Sequence, residues 1–446
     1  MSRSVLFHVQ YLLGIGHLQR SLRIANALAR LDVRVTLACG GPPIAELRAD
    51  PSIDIVQLPP VRARDARFEL IDEAGRPLCD ALRQARREAL LAAFAAAQPD
   101  AVIIEGFPFA RRAFRFELDP LIAAVRGTAP RPRVICSVRD IVVMRDDPAR
   151  HRETVGRVRQ GFDAVLVHGD PALIPFDASF PPASEIADRL IYTGYVWEPH
   201  LTLPSLRDGP LPLPPKGRRG KFAAARPEDS LSAPLESEGR GGEGRGEVGH
   251  EAVTGGEVIV SAGGGAAGRA LLDAALTARR EGCLADAPWR LLTGTNLPEA
   301  EFAALRQAAP AGVAIERFHP DLAGLLRHCR VSVSQAGYNT VLDILSAQAR
   351  AVLVPFAAER ETEQLMRAER LMALGAAELV RESELSPASL AAAIERAAAR
   401  EPVPIEIDIN GAPNSARLIA ALIEGNTPGS LAGHLAAKTG MVMIRR

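Results

Sequence analysis

Residues 332–368 read SVSQAGYNTVLDILSAQARAVLVPFAAERETEQLMRA. Val331 and Val333 open this stretch as a short buried strand, which breaks at the small-residue loop Ser334-Gln335-Ala336-Gly337. The pattern predicts a helix over 338–347, a second apolar strand over 351–355, and a polar loop ending in Glu363-Gln364. A strand that turns through glycine into a helix aims unpaired N–H groups, and the positive end of the helix dipole, at one place. Such a place suits a phosphate. Asn339 and Thr340 stand at the helix start, where their side chains either cap the helix or bind a phosphate oxygen. Asp343, one turn further on the same face, either complements the dipole or reaches a ribose hydroxyl. Glu363 and Gln364, beyond the next strand, are placed to clamp sugar hydroxyls. The combination predicts a nucleotide-sugar site.

Upstream, an apolar strand over 257–262 runs into Gly263-Gly264-Gly265-Ala266-Ala267-Gly268 and then a helix. Gly263, Gly265 and Gly268 fit the dinucleotide fingerprint, which demands an acid at the end of the following strand. That strand, 289–292, ends in Thr293-Gly294-Thr295 and carries none, so NAD is set aside. The glycines instead let backbone approach a diphosphate or line a cleft. A strand over 313–316 leads to Phe318, a helix over 322–329 leads into the opening stretch, and helices over 371–376 and 387–399 finish the unit. The donor candidates are Gly263, Gly264, Gly265, Phe318, Gln335, Gly337, Asn339, Thr340, Asp343, Glu363 and Gln364.

The first part of the chain repeats the plan. A strand over 4–10 runs through Gly14-Ile15-Gly16-His17 into a helix over 18–31, whose Leu18, Leu22, Ala25 and Leu28 follow the helical period. Further strands fit 33–38, 53–58, 101–104, 133–138 and 164–167, with a long helix over 80–97. Strands alternating with helices predict a doubly wound parallel sheet, which places ligands at its carboxyl strand ends. Gly14, Gly16, His17, Glu105, Arg139, Asp140 and His168 should therefore share one rim. From Leu203 the composition turns Pro-rich, then basic, then rich in Gly, Glu and Arg, which reads as a disordered spacer. The expected domains are 1–200, a linker over 201–256, a second domain over 257–424 and a tail over 425–446.

The 446 residues are too many for one ordinary core. Lys+Arg and Asp+Glu both number 53, so bulk charge gives no attraction to nucleic acid. No apolar run reaches the roughly 18–20 residues of a transmembrane helix. Val5 begins a strand directly, without a signal-peptide pattern, and Cys39, Cys79, Cys136, Cys283 and Cys329 are scattered. The expectation is a cytoplasmic protein with reduced thiols. Apolar side chains with basic neighbours over 62–68 and 107–116 either meet the inner face of a membrane or, the better reading, are ordinary cleft and surface residues.

The order Gly337, Asn339, Thr340, Asp343, Val354-Pro355, Glu363-Gln364 resembles the donor half of GT-B glycosyltransferases, in the family 28 group that includes the MurG type. The resemblance implies an α/β fold of two doubly wound, Rossmann-like domains facing a cleft. It puts the diphosphate on Gly337, Asn339 and Thr340, the ribose on Asp343, and the sugar on Glu363 and Gln364. Gly14-Ile15-Gly16-His17-Leu18-Gln19-Arg20 is similar to the first-domain element of that family, though it departs from the MurG-type triple-glycine form. The segment 105–112, with Ser137-Val138-Arg139-Asp140 and Tyr192-Thr193-Gly194-Tyr195, resembles a narrower set of predicted bacterial glycosyltransferases. The implied reaction is inverting transfer from a UDP-sugar by single displacement, without a metal or other cofactor. It needs a base at the attacking hydroxyl and positive charge at the leaving diphosphate. His17 is the first candidate for the base and Glu105 the second, with Asp140 as an orienting group. Gly14, Gly16, Arg20 and Arg139 fall on the acceptor side, Arg139 as a phosphate ligand. The acceptor is left open, a lipid-linked sugar phosphate among the options. Two alternatives share the fold: a non-hydrolysing UDP-sugar epimerase and a nucleotide-sugar-binding protein without turnover.

Overall fold

The computed structural model describes residues 3–12, 14–44, 47, 49–64, 69–142, 147–198, 256–263, 268–295, 297–356 and 362–431. The expected linker, apart from Gly256, and the tail beyond Leu431 lie outside the described residues. In chain order the first lobe runs β1 (Ser4–Val9), α1 (Gly16–Ala29), β2 (Arg34–Cys39), β3 (Asp54–Gln57) and the hairpin β4 (Arg62–Ala63) and β5 (Leu70–Ile71). It continues with α2 (Asp80–Ala97), β6 (Ala101–Glu105), α3 (Arg115–Arg126), β7 (Arg133–Arg139), α4 (Pro148–Gly161), β8 (Ala164–His168) and β9 (Leu190–Tyr192). The second lobe runs β10 (Val258–Ser261), α5 (Arg269–Arg280), β11 (Trp289–Leu292), α6 (Glu299–Ala308), β12 (Val313–Glu316), α7 (Leu322–His328) and β13 (Val331–Ser334). It ends with α8 (Tyr338–Ala347), β14 (Ala351–Leu353), α9 (Glu363–Ala373), β15 (Glu378–Leu379) and α10 (Pro387–Ala399), and α11 (Gly411–Ile423) is the last helix among the described residues.

Both lobes are parallel sheets wrapped by helices. The strand orders are β3-β2-β1-β6-β7-β8-β9 and β12-β11-β10-β13-β14-β15. β1, β6 and β8 are buried at every position, because helices cover both faces of the sheet. Each order reverses once, between β1 and β6 in the first lobe and between β10 and β13 in the second. The connections there leave to opposite faces of the sheet and open a crevice at the carboxyl strand ends. Gly14 to His17 and Glu105 follow one reversal; Gly263 and Gln335 to Gly337 follow the other.

Three boundaries differ from the sequence expectation. α1 begins at Gly16, so His17 lies in its first turn. Glu363 and Gln364 open α9 rather than close a loop, and the helix expected over 371–376 is the end of α9. Glu363, Arg367 and Leu371 recur every four residues and are all buried, which fixes the helix from its first residue. α11, expected within the second domain, packs on the first lobe. Ala412, Ala416, Ile419 and Leu422 form its apolar stripe and share a core cluster with Leu18, Leu22, Ala25 and Leu28 of α1. The chain returns beside its outward crossing: Tyr195 N–H donates to the Asp408 carbonyl at 2.6 Å, and Gly411 N–H to the Tyr195 carbonyl at 3.0 Å. A Cβ on Gly411 would stand 2.4 Å from the Gly194 carbonyl, so the crossing requires glycine.

The 107–116 aromatics are not a membrane face. Phe107, Phe109 and Phe114 are buried in the first-lobe core, the Phe109 ring lying edge-on to Phe176 and Phe180. Of the other proposed patch, 65–68 lie outside the described residues. Among the described residues no helix is long and apolar enough to cross a membrane.

Beneath that core α2 and α3 are joined by a fully buried ion pair. Arg86 Nε and Nη2 donate to the two Glu117 carboxylate oxygens at 2.8 and 2.7 Å. Nη1 donates to the Gly40 and Pro59 carbonyls and Nη2 also to Gln10 Oε1, so all five guanidinium N–H groups are used. Removing one member of such a pair strands the other charge in the core. Arg86→Met is therefore expected to lower the unfolding free energy by about 3–5 kcal/mol, read as a shift in the urea midpoint.

Candidate active site at the facing strand ends

In the first lobe, the reversal between β1 and β6 brings a histidine and a carboxylate together. His17 Nδ1 lies 2.6 Å from Glu105 Oε1. Arg20, one turn along α1, donates from Nη2 to the same oxygen at 2.6 Å, and Arg111 Nε stands 3.9 Å from Oε2. Arg111 holds a left-handed backbone, φ 59°, a conformation that L side chains rarely adopt and that tends to be kept at working sites. Burial alone would raise the Glu105 carboxyl, but His17, Arg20 and Arg111 outweigh it and hold it ionised. Burial lowers the His17 imidazole to about 4, with Glu105 opposing and Arg111 and Arg20 assisting. A neutral ring facing a carboxylate at that distance carries its proton on Nδ1, since a bare nitrogen would set lone pair against lone pair. Nε2 is then the basic nitrogen, on a side chain still 24% exposed.

The N-terminus of α1 has no side-chain cap and no acid in its first turn. Among the described residues a Cβ on Gly14 or Gly16 would meet nothing within 4 Å, so packing against them requires neither glycine. Open space above uncapped N–H groups is what an anion needs.

The second lobe repeats this at its own reversal. α8 starts after Gly337 without a side-chain cap and without an acid in its first turn. Asn339 is exposed and Thr340 half-buried, both beside the free N–H groups. Gly263, at φ +70°, lies against the neighbouring loop, where its Cβ would come within 3.1 Å of Gln335 Oε1. Gly264 and Gly265 lie outside the described residues. Phe318, just past β12, is 53% exposed, a large apolar ring left open at the same edge. Asp343 accepts a hydrogen bond from Trp197 Nε1 at 2.7 Å, so the carboxylate expected on the ribose also touches the crossing segment. Gln364 Oε1 accepts from the Phe356 N–H at 3.2 Å.

Glu363 sits between the lobes. Arg139 Nη1 lies 2.8 Å from its Oε1 and 2.6 Å from its Oε2, and Arg367 Nη2 donates to Oε1 at 3.1 Å. Burial would raise this carboxyl; Arg139, Arg367 and, across the cleft, His17 hold it below its usual value. Arg139, assigned from sequence to an acceptor phosphate, thus pairs with the donor lobe. Asp140 is corrected as a catalytic candidate. It is fully buried, accepting from the Tyr195 hydroxyl at 3.1 Å and from Arg367 at 3.2 Å, and it fastens lobe to lobe. His168 is likewise buried, between Ser137 Oγ at 2.7 Å and Thr193 Oγ1 at 2.9 Å.

Sequence reasoning missed Arg111, Trp197 and Arg367. The spacing of Arg367 four residues after Glu363 was the one available signal, and it marks a helix that the polar loop reading had excluded.

Residues 258–422 match the model of the glycosyltransferase family 28 C-terminal domain. A stretch of 150 residues is 35% identical to the UDP-N-acetylglucosamine--N-acetylmuramyl-(pentapeptide) pyrophosphoryl-undecaprenol N-acetylglucosamine transferase of Brucella anthropi, covering 31% of this chain and 39% of that protein. The enzyme of the same name from Brucella suis is 33% identical over the same shares. The chain thus spans about two fifths of the length of the curated relatives it matches. Among solved structures, Acinetobacter baumannii MurG aligns over 95% of this chain and 100% of its own, with a TM-score of 0.55 and 15% identity. The calicheamicin glycosyltransferase aligns over 99% and 100%, with a TM-score of 0.54 and 17% identity. At such identities the likeness is one of fold, the two-lobed GT-B frame.

Proposed function

With a glycosyltransferase family 28 C-terminal domain for its second lobe and a GT-B frame throughout, this chain is, we propose, a glycosyltransferase. It moves a hexosyl or N-acetylhexosaminyl group from a UDP-sugar to a hydroxyl. The observation that carries this reading is the pair of uncapped helix N-termini, at α1 and α8, each at the reversal of its own sheet. The α8 terminus takes the donor diphosphate, with Asn339 and Thr340 on its oxygens. Phe318 covers the base, Asp343 reaches the ribose, and Glu363 with Gln364 holds the sugar.

The reaction is a single displacement at the anomeric carbon, with inversion. As the acceptor oxygen bonds to that carbon, His17 Nε2 takes its proton and the bond to the diphosphate breaks. Glu105 keeps the Nδ1 proton in place and stabilises the imidazolium as it forms, the role a buried carboxylate serves beside any histidine base. Positive charge develops no further than the ring, because Arg20 and Arg111 keep Glu105 from taking the proton itself. The leaving diphosphate, which gains one negative charge as its bond to the anomeric carbon breaks, is met by the α8 N–H groups and dipole, without a metal in the step.

The α1 terminus, Gly14, Gly16 and Arg20 form a second place for negative charge, so the acceptor carries a phosphate close to its reacting hydroxyl. The name of the Brucella anthropi relative includes a pyrophosphoryl-undecaprenol acceptor. An acceptor of that lipid-linked kind would bring the protein to the inner face of a membrane.

Protonation of His17 removes the lone pair, so kcat/KM should fall as the pH drops through about 4 and show no break near 6.5. Arg111→Met removes a positive neighbour that disfavours the imidazolium, and the acid limb should move up in pH. A pH–rate profile of the two proteins checks both statements. The function itself is tested by incubating the protein with UDP-N-acetylglucosamine, with and without a polyprenyl-phosphate sugar acceptor. Free UDP that forms only with acceptor supports transfer. An epimerised sugar nucleotide formed without acceptor contradicts it.

A further inference from the structure

We propose that Arg139, although it belongs to the first lobe, is a positioning residue for the donor's sugar: it fixes the Glu363 carboxylate across the cleft so that this group can bind a sugar hydroxyl. The inference rests on the donor reading given above and extends it to a residue of the opposite lobe.

The end of β7 supplies Arg139 and Asp140 in sequence, and both reach one stripe of α9, at Glu363 and Arg367. Two arginines and two acids alternate there, with no net charge, yet the two pairs are unlike. Asp140 and Arg367 are sealed, at 0% and 2% side-chain exposure, and Arg367 Nη1 also donates to the Ala336 carbonyl at 3.1 Å. That pair is a latch between the lobes and the loop before α8. Arg139 is 27% exposed and lies at the rim, so its guanidinium borders the open cleft.

A carboxylate offers about four acceptor positions. Among the described residues Glu363 Oε1 meets Arg139 and Arg367 and Oε2 meets Arg139, and on a side chain still 6% exposed the remaining Oε2 position is the one assigned to a ligand hydroxyl. A lone glutamate at a helix start would be free to rotate about three side-chain bonds, and a hydroxyl would have to order it on binding. Held by Arg139, it is ordered beforehand. The carboxylate also lies close enough to His17 for protonation of that ring to favour its ionised form, so what it holds is near the candidate base. Lobe docking and sugar recognition are thereby joined in one ion pair: the sugar is gripped firmly only while the first lobe is seated.

The test compares binding of UDP-N-acetylglucosamine and of UDP to the full chain, by titration calorimetry, in wild type, Arg139→Met and Arg139→Lys. The expected result is an affinity for UDP-N-acetylglucosamine about tenfold lower in Arg139→Met, from the loss of a charge-assisted contact. UDP affinity should be unchanged, and Arg139→Lys should recover part of the loss. Equal weakening of both ligands would assign Arg139 to lobe docking and overturn the proposal. No change in either ligand would overturn it as well. Wild-type protein that binds no UDP would remove the donor reading itself, a failure visible before any variant is compared.

Discussion

Replacing His17 with alanine should cut kcat by about 10²- to 10⁴-fold, the range removed with a positioned general base. UDP affinity should not move, because His17 belongs to the first lobe and the α8 terminus to the second. The size follows from the geometry: Nδ1 is committed to Glu105 at 2.6 Å, and Nε2 is the basic atom of a ring left neutral down to about pH 4. Glu105→Gln tests the same pair from the other side. Arg20 Nη2 and His17 Nδ1 both meet Oε1, so the amide oxygen takes that place and the Nδ1 proton stays, but the negative charge that stabilises the imidazolium is lost. A loss of kcat smaller than that of His17→Ala is expected, with the fold intact, since Arg20 still donates to the carbonyl oxygen. Steady-state kinetics with a saturating UDP-sugar donor reads both variants. A kcat within a factor of a few of wild type in His17→Ala would take the histidine out of the mechanism.

The second large effect is expected at Gly337→Asp. Gly337 has φ −64° and ψ 153°, an extended conformation that aspartate adopts readily, and a Cβ there would meet only Thr340 Oγ1 at 3.8 Å. The new carboxylate would accept from the N–H groups of the first turn of α8 and complement its dipole, adding about 0.5–1 kcal/mol of stability. It would also occupy the place proposed for the diphosphate and repel it. UDP affinity should fall about 10²-fold or more, as charge-assisted hydrogen bonds are lost and like charges meet. A variant that melts higher and binds less separates a ligand role of this terminus from a structural one. Unaltered UDP binding would mean that α8 is simply a helix without a cap.

Much of the molecule could be read from local pattern. The α8 limits, 338 and 347, and those of α2, α10, β11 and β12 follow from apolar period and from Gly or Pro at the ends, which are local properties. The alternation of strands and helices predicts parallel sheets and places Gly14 to His17, Glu105 and Gly337 at carboxyl strand ends without any knowledge of contacts, whereas the points where the strand orders reverse come from the pairing itself. What stayed hidden depends on partners distant in sequence. Arg86 looks like one more arginine on a basic helix until α3 brings Glu117 against it. Asp140 at a strand end looks catalytic until Arg367, 227 positions later, covers it. The apolar stripe of α11 shows that one face is buried; it does not show that the face is buried on α1, across the crossing at Gly194 and Gly411. The left-handed backbone of Arg111 has no signature in residue type at all.

The account turns on which end of which helix holds the nucleotide diphosphate. A crystal structure of the protein with UDP measures this directly. The predicted result places the β-phosphate oxygens within hydrogen-bonding distance of the backbone N–H groups of residues 338–340, with the ribose beside Asp343. Diphosphate bound instead over Gly14 and Gly16, or outside the space between the lobes, would contradict it.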